Sequence, residues 1–328
     1  MKKLIPELII ISLVTVVLLV CINEYAPAPL VERTEQVMGT YATITIIERD
    51  TTRANLALDA AFEELTRIEG LMSLYNASSE VALLNRNGTN WTTLSPGTIY
   101  VLKRADYYSR ISNGSFDITC NPLLDLWMVK AKKETRTPTP DEIEEARELV
   151  GYQHLVIDED QKRAKFDKEG MSITLGGIAK GYAVDRACEK LLEAGINHAL
   201  VNIGGDIRAI GDKNGVPWEV ALQNPRNKEE YITIIKLDNE SVATSGDYER
   251  YFFLDGRIHH ILNPKTGYSA EECISVTVIT PNCIDADALA TAVFVMGPEE
   301  GKALLDELGI KGLIISADKQ VIKSAVFQ

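Results

Sequence analysis

The stretch LGGIAKG, residues 175–181, joins a predicted strand to a predicted helix near the middle of the chain. Residues 172–175 have the β-branched character of a strand, and the apolar spacing over 182–194 is typical of an amphipathic helix. Glycines in such a turn let backbone amides approach a ligand, and the helix N-terminus adds partial positive charge. A pyrophosphate site that includes Lys180 and an ordinary tight turn both stay open, because the stretch matches neither GxxxxGKS/T nor GxGxxG.

On both sides of this turn, predicted helices and hairpins follow one another without the regular βαβ alternation of a doubly wound sheet. Predicted strands cover residues 41–47, 155–157, 172–175, 198–203, 218–222, 232–237, 275–279 and 312–316, with a further strand near residue 166. Predicted helices cover residues 51–71, 95–111, 139–149, 182–194, 287–296 and 301–308, with a short one near residue 81. Asp255-Gly256 between 251–254 and 257–262 is a strong hairpin signal. The pattern predicts an α+β fold.

Several of these helices begin at a recognisable N-cap, a side chain whose oxygen accepts from the first free backbone N–H groups. The candidate caps are Thr51 or Thr52, Ser78 or Ser79, Ser95 and Thr139, the last two followed by proline. Proline at the first helical position favours a helix start, since its missing N–H has no partner there.

The chain has 328 residues, a net charge of −13 and 45% hydrophobic residues. That apolar content is ample for a large core. An acidic body repels phosphate groups, so nucleic acid is not an expected partner. An anionic ligand would need local help from backbone amides, a lysine or a metal.

The N-terminus carries a basic start and then an apolar run over residues 8–22. Residues 1–22 are therefore predicted to be a signal or membrane anchor, and 23–33 a linker, which leaves one domain over 34–328 outside the cytoplasm. The string LLVC at 18–21 resembles a lipoprotein cleavage site, although Val20 departs from the usual glycine or alanine. A lipid on Cys21 and an uncleaved anchor both stay open.

Cysteine usage gives little functional signal. The five cysteines are Cys21, Cys120, Cys188, Cys273 and Cys283, with no CxxC pair and no zinc-like grouping with histidine. Unpaired, partly buried thiols are the favoured interpretation over a disulfide between Cys273 and Cys283, because spacing alone cannot show a disulfide.

Asp287 and Thr291 are four residues apart, so on a helix they share one face. A carboxylate and a hydroxyl, completed by a backbone carbonyl, water and phosphate, make a plausible Mg²⁺ site. The competing interpretation is an acidic helix start that interacts favourably with the helix dipole. The residues alone leave both open.

Two adjacent histidines, His259 and His260, follow the segment TSGDY at 244–248 across the predicted hairpin. On a strand their side chains point to opposite faces, so one can enter a site while the other packs. A histidine facing a carboxylate suits proton abstraction from a hydroxyl. Structural and catalytic roles stay equally open here.

Met38-Gly39-Thr40, Leu74-Tyr75 and Phe116-Asp117 form a weaker group. Thioether and aromatic groups can pack against a flat ring, and Gly39 permits close approach. On the residues alone, core and turn positions are the favoured interpretation.

Together these segments resemble the FAD:protein FMN transferase family of ApbE type. The matching segments are residues 38–40, 79–85, 116–127, 175–182, 201–206, 243–248, 260–267 and 286–291. They occur in the family's order between about residues 35 and 297. Eight ordered segments are far more specific than any single one.

The resemblance implies a T-fold-like α+β architecture with an FAD cleft between two subregions. It implies that the flavin site is lined by Met38, Tyr75, Ser115, Phe116, Asp117, Thr174, Lys180 and Ile261. The metal would be held by the Gly177 carbonyl, Asp287 and Thr291. His260 is implied as the proton acceptor, with Asp247 near the reacting end.

The implied activity is Mg²⁺-dependent transfer of FMN from FAD to a threonine or serine hydroxyl, with release of AMP. Phosphoryl transfer of this kind depends on positioning and charge neutralisation. The family's acceptors are extracytoplasmic proteins such as flavin-carrying subunits of membrane redox pumps. Two alternatives stay open: an FAD pyrophosphatase that releases FMN and AMP, and a non-catalytic flavin-binding lipoprotein.

Overall fold

The computed structural model of the protein describes residues 27–248 and 258–327, and within these ranges it contains thirteen strands and eight α-helices. The strands are β1 (Leu30–Val37), β2 (Thr40–Ile47), β3 (Thr92–Thr93), β4 (Leu155–Asp158), β5 (Arg163–Phe166), β6 (Ala199–Ile203), β7 (Asp206–Ile210), β8 (Trp218–Asn224), β9 (Asn227–Leu237), β10 (Ser241–Gly246), β11 (Cys273–Thr280), β12 (Lys311–Ser316) and β13 (Val321–Lys323). Eight of them form one antiparallel sheet in the order β1-β2-β6-β7-β10-β11-β12-β13. The mixture of helices with antiparallel sheets confirms the α+β prediction.

The helices are α1 (Thr51–Met72), α2 (Glu80–Asn87), α3 (Pro96–Ile111), α4 (Asn121–Val129), α5 (Pro140–Arg147), α6 (Ala179–Glu193), α7 (Cys283–Met296) and α8 (Pro298–Leu308). Three of the predicted N-caps are confirmed. Ser79, Ser95 and Thr139 each accept a backbone N–H with their side chain, and Thr139 completes a capping box with Glu142.

The cap of α1 differs from the prediction. Asp50 caps this helix, because its carboxylate accepts the N–H groups of Thr52 and Arg53. A carboxylate one residue earlier therefore takes the position that Thr51 or Thr52 was predicted to fill.

Two hydrophobic clusters lie on opposite faces of the main sheet. The larger one joins the sheet to α1, α6, α7 and α8, and the smaller one joins it to the separate β8–β9 hairpin. Strand β12 shows the alternation directly: Ile314 belongs to the larger cluster, whereas Leu313 and Ile315 belong to the smaller. Helices thus cover one face, and the β8–β9 hairpin packs on the other.

Residues 172–175 are extended but belong to no strand, so that strand prediction is wrong. The Asn85 side chain takes the place of a neighbouring strand: it accepts the Ile173 N–H at 2.8 Å and donates to the Ile173 carbonyl at 2.9 Å. The Thr174 N–H donates to the Ile118 carbonyl at 2.8 Å. The segment is therefore fixed by scattered contacts before it enters the glycine turn.

The structure tests the N-terminal and hairpin predictions only in part, because many of their residues lie outside the described ranges. Strand β1 begins at Leu30, so the last four residues of the predicted linker are strand. The predicted anchor over 1–22, with Cys21, lies outside the described residues, as does most of the predicted hairpin over 251–262. Among the helices of the described ranges, none combines the length and apolar character needed to cross a membrane.

The four described cysteines, Cys120, Cys188, Cys273 and Cys283, are free thiols, as favoured from the sequence.

Candidate functional site

The glycine turn before α6 lies directly against α7. A Cβ atom built on Gly177 would lie 3.1 Å from Oγ1 of Thr291 and 3.3 Å from Cε2 of Phe116. These distances are tighter than ordinary Cβ contacts, so the absence of a side chain at Gly177 allows the turn and α7 to approach. The structure therefore brings together Gly177, Thr291 and Phe116, all three predicted from the sequence.

Asp287 reaches the same turn from one helical turn earlier on α7. Its Oδ2 accepts the Gly181 N–H at 3.0 Å. A Cβ on Gly181 would lie 2.4 Å from the Cys283 carbonyl oxygen and 2.8 Å from Cβ of Asp287. Close helix approach at Gly181 thus places the Asp287 carboxylate at the start of α6.

The start of α7 is fixed by a side chain from α6. The Asp185 carboxylate accepts the N–H groups of Cys283 and Ile284, each at 2.9 Å, and forms an ion pair with Arg208. A carboxylate at a helix N-terminus satisfies free N–H groups and favours the helix dipole. This cap from a neighbouring helix sets where Asp287 and Thr291 stand relative to the glycine turn.

Lys180, Asp206 and Asp287 form a charged group beside the turn, in which the two carboxylates are buried and Lys180 is partly exposed. Lys180 forms an ion pair with Asp206, which is only 1% exposed. Burial and the nearby Asp206 charge raise the pKa of Asp287 to about 7. Burial works against the charge of Lys180, but the carboxylates of Asp206 and Asp287 more than offset it and hold the Lys180 pKa above its ordinary value.

The donor atoms at this point suit Mg²⁺. The Asp287 carboxylate, the Thr291 hydroxyl and the Gly177 carbonyl are hard oxygen ligands, and magnesium takes few protein ligands besides phosphates and water. Thr291 also contacts the Ser245 hydroxyl of β10 at 3.1 Å, so β10 borders the same site. Within the described ranges, no cluster of three or more His, Cys, Asp and Glu side chains has a metal-binding arrangement.

The two histidines have separate environments, although neither belongs to a strand of the described residues and the predicted strand alternation is therefore not the reason. His259 is 4% exposed, its Nε2 lies 2.8 Å from the Ala270 carbonyl oxygen, and its ring meets Phe294 edge-on at 5.5 Å. Burial lowers the pKa of His259, which favours the neutral ring. His259 is thus the packing member, whereas His260 is less buried, and its catalytic role stays a prediction.

Two glycine turns at one end of the sheet place Met38 near Asp206. Met38 and Gly39 have φ values of 53° and 72° and form the two-residue turn between β1 and β2. A Cβ on Gly204, in the matching turn between β6 and β7, would lie 2.8 Å from Oγ1 of Thr40. The Met38 turn therefore neighbours the turn that leads into Asp206.

Other predicted flavin-lining residues have structural partners of their own. The buried Asp117 carboxylate accepts the N–H groups of Thr119 and Tyr152 and the Thr119 hydroxyl. Ile261 is buried in the larger cluster, whereas Tyr75 is 87% exposed. Contacts between these three residues and a flavin stay predictions.

Ser115, also predicted to line the flavin site, meets a lysine that the sequence reasoning did not select. Lys265 Nζ lies 3.5 Å from the Ser115 hydroxyl, at the limit of a hydrogen bond. The lysine stands on a fixed turn, because the Gly267 carbonyl accepts the Trp127 indole N–H at 2.8 Å. A positive charge thus faces the predicted flavin-lining segment.

Residues 38–314 match the sequence profile of the ApbE family. The chain belongs to the ApbE family. The matched range contains the glycine turn, the Lys180 group, β10 and α7, so the whole site described above falls within the domain that defines the ApbE family.

Individual ApbE-family members match most of the chain. The FAD:protein FMN transferase of Vibrio cholerae is 34% identical over 300 residues, with 88% of each chain covered. The protein of the same name from Haemophilus influenzae is 34% identical over 250 residues, covering 73% of this chain and 72% of that one. The crystal structure of the ApbE protein from Thermotoga maritima is similar with a TM-score of 0.84 at 36% identity, covering 90% and 97% of the two chains. The flavin transferase ApbE from Vibrio cholerae gives a TM-score of 0.83 at 30% identity, covering 92% and 99%.

Three residues of this ApbE-family site were not selected from the sequence: Asp206, Ser245 and Lys265. Each lies inside a segment that carried the family resemblance, at 201–206, 243–248 and 260–267. The signal was therefore present as a motif, but the contacts that give each side chain its place are visible only in the fold.

Proposed function

We propose that this protein transfers the FMN half of FAD to a threonine or serine hydroxyl of an acceptor protein and releases AMP. The observation that carries the proposal is the meeting of α7 with the glycine turn. Asp287 accepts the Gly181 N–H, and Thr291 lies against Gly177. The relatives named FAD:protein FMN transferase, which align over most of the chain, support the same activity.

The proposal includes Mg²⁺. The Asp287 carboxylate, the Thr291 hydroxyl and the Gly177 carbonyl would hold the ion, with phosphate oxygens and water completing its shell. When bound, Mg²⁺ neutralises charge on the pyrophosphate. Lys180 adds a fixed positive charge beside the turn, and its ion pair with Asp206 keeps that charge in place.

The reaction forms one P–O bond and breaks another. The acceptor hydroxyl oxygen attacks the FMN-side phosphorus, the bond from that phosphorus to the bridging oxygen breaks, and AMP leaves with the bridging oxygen. His260 accepts the hydroxyl proton, which suits an imidazole because its ordinary pKa lies near neutral pH. Asp247 stands near the reacting end.

The flavin site is proposed to include the residues named from the family resemblance. These are Met38, Tyr75, Ser115, Phe116, Asp117, Thr174, Lys180 and Ile261. The contact of Phe116 with the Gly177 position and the neighbouring Met38 and Gly204 turns support this placement. The remaining members are tested by FAD affinity in single variants.

We also propose where the protein works. The apolar run over 8–22 after a basic start supports a membrane anchor, with the domain on the extracytoplasmic face. The anchor is either the uncleaved segment or a lipid on Cys21. The acceptors would then be extracytoplasmic flavin carriers such as subunits of membrane redox pumps. Fractionation of cells with and without Cys21→Ser tests the anchor.

The activity is tested with the purified protein, FAD, MgCl₂ and a flavin-carrier domain. The proposal predicts a fluorescent covalent band on the carrier and an equal amount of AMP. A chelator and Asp287→Asn should each abolish the band. Rapid release of FMN and AMP without a carrier would instead identify a pyrophosphatase, and tight FAD retention without any AMP would identify a flavin-binding protein.

A further inference from the structure

The tip of the β8–β9 hairpin reaches the end of β10. Strand β8 ends at Asn224 and β9 begins at Asn227, so Arg226 lies in the turn between them. Its Nη1 donates to Oδ1 of Asp247 at 2.7 Å, and its Nη2 donates to Oδ2 at 2.6 Å. A guanidinium that binds both carboxylate oxygens fixes the plane of the carboxylate as well as its position.

The hairpin that carries Arg226 has a well-packed base. Trp218 and Leu237, which pair across β8 and β9, are buried in the smaller cluster against the main sheet. The Trp218 indole N–H also donates to the Ile210 carbonyl at 3.2 Å. The base of the hairpin is therefore packed against the main sheet, and the turn with Arg226 extends from that base.

Asp247 directly follows β10, the strand that contacts the candidate metal site. Two residues earlier, Ser245 contacts the Thr291 hydroxyl at 3.1 Å. The Asp247 N–H continues the strand pairing by donating to the Ile274 carbonyl at 3.1 Å. The Asp247 charge also acts on the His259 ring, opposing the effect of its burial on the pKa. Asp247 is thus connected along the chain to the Thr291 contact, and its charge reaches the His259 ring.

We propose that Arg226 is a positioning residue of the transfer reaction, which acts by holding the Asp247 carboxylate through its two parallel hydrogen bonds. The inference rests on the proposed function. An exposed ion pair contributes little to stability, so a purely structural pair predicts an unchanged rate when the arginine is removed. A positioning role predicts a loss in the rate of the chemical step with little change in FAD binding.

The experiment compares Arg226→Ala and Arg226→Lys with the unaltered protein, using FAD, MgCl₂ and the flavin-carrier domain. Misplacement of a reacting group by about 1 Å lowers rates by about 100-fold, and we expect a kcat loss of that order in Arg226→Ala. The KM for FAD should change less than about twofold, since the contact is not made to FAD. Arg226→Lys should retain only part of the rate of the unaltered protein, because a lysine ammonium cannot form the two parallel hydrogen bonds of a guanidinium. Millimolar guanidinium should restore part of the rate of Arg226→Ala.

Lys236→Ala provides the matched control, because it removes the cation of another ion pair of the same hairpin, with Glu219 at 3.7 Å. It should label the carrier at the unaltered rate. Equal rates for Arg226→Ala and the unaltered protein would overturn the inference. A rate loss that guanidinium does not reverse, and that is proportional to a decrease in Tm, would also overturn it. Absence of labelling by the unaltered protein would instead refute the proposed function.

Discussion

The backbone N–H of Gly181 donates to Oδ2 of Asp287 at 3.0 Å and so joins the start of α6 to α7. The same glycine leaves no room for a side chain, since a Cβ would lie 2.4 Å from the Cys283 carbonyl oxygen. The neighbouring atom is backbone, which cannot turn aside as a flexible side chain would. The position therefore controls how closely the two helices of the candidate site approach.

Gly181→Ala should separate α6 from α7, lower stability by about 1–3 kcal/mol and reduce Mg²⁺-dependent labelling. Gly70→Ala provides the control, because Gly70 lies within α1 with nothing within 4 Å of its Cβ position. That change should stabilise the protein by about 1 kcal/mol through helix propensity. Urea unfolding measures both variants, and equal stability of the two would contradict the close approach at Gly181.

Lys180→Met should destabilise the protein, because it leaves the carboxylates of Asp206 and Asp287 without their buried cation. Breaking such a pair costs about 3 kcal/mol or more. Lys190→Met, on the same helix, removes only a surface pair with Glu193 and should cost less than about 1 kcal/mol.

Adding Asp206→Asn to Lys180→Met should restore part of the lost stability, since one of the two uncompensated charges is then absent. The double-mutant cycle measures this coupling. Additive effects of the two substitutions would show that Lys180 and Asp206 do not act as a pair.

Asp287→Asn should change how stability depends on pH. The folded-state pKa of Asp287 is raised to about 7 from its ordinary value of 3.8. Between these values the folded protein holds a proton that the unfolded chain has released, so this group makes stability fall as pH rises from about 4 to 7. Asp287→Asn, measured without metal, lacks this loss of stability. The Tm of the variant should therefore rise relative to that of the unaltered protein as the pH increases from about 4 to 7.

Mg²⁺ and FAD added together should raise the Tm of the unaltered protein more at pH 8 than at pH 5, because protons compete with the ion for Asp287. Asp287→Asn should show little of this increase. Parallel pH profiles for the two proteins, with equal responses to Mg²⁺, would remove Asp287 from the metal site.

His259→Gln should lower the stability of the protein, whereas His260→Gln should lower its labelling activity. His259→Gln removes a buried ring that packs on Phe294, so stability should fall by about 1–2 kcal/mol while folded protein still labels the carrier. His260→Gln should keep its Tm and lose labelling by about 100-fold or more, the usual contribution of a general base. The reverse assignment would show that the packing histidine is the catalytic one.

Local chemistry explains which elements could be predicted from the sequence. Ser95 and Thr139 were recognisable caps because a hydroxyl and a following proline act within a few residues. Residues 172–175 were misassigned as a strand, because the stretch Ser-Ile-Thr-Leu is compatible with a strand but does not specify a partner strand. The partner there is the Asn85 side chain, 88 residues away.

The candidate site, like the fold, could be predicted only in part from the sequence. The spacing of Asp287 and Thr291 placed both on one helix face, and α7 confirms that they lie on one helix. The contact of that face with the glycine turn joins residues far apart in sequence, and only the family resemblance pointed to it. The ion pair of Lys180 with Asp206 and the paired hydrogen bonds of Arg226 with Asp247 had no local pattern, since the first joins a helix to the main sheet and the second joins two separate sheets.

The cap that Asp185 places on α7 joins residues 98 and 99 positions apart, and the Gly181–Asp287 bond spans 106. Contacts of such sequence separation require the closure of a long loop, which has an entropic cost and slows folding. A nascent polypeptide on the ribosome therefore lacks the proposed cation site until α7 has emerged and docked. Flavin transfer thus reports on complete folding, and truncated or half-folded chains should be unable to consume FAD.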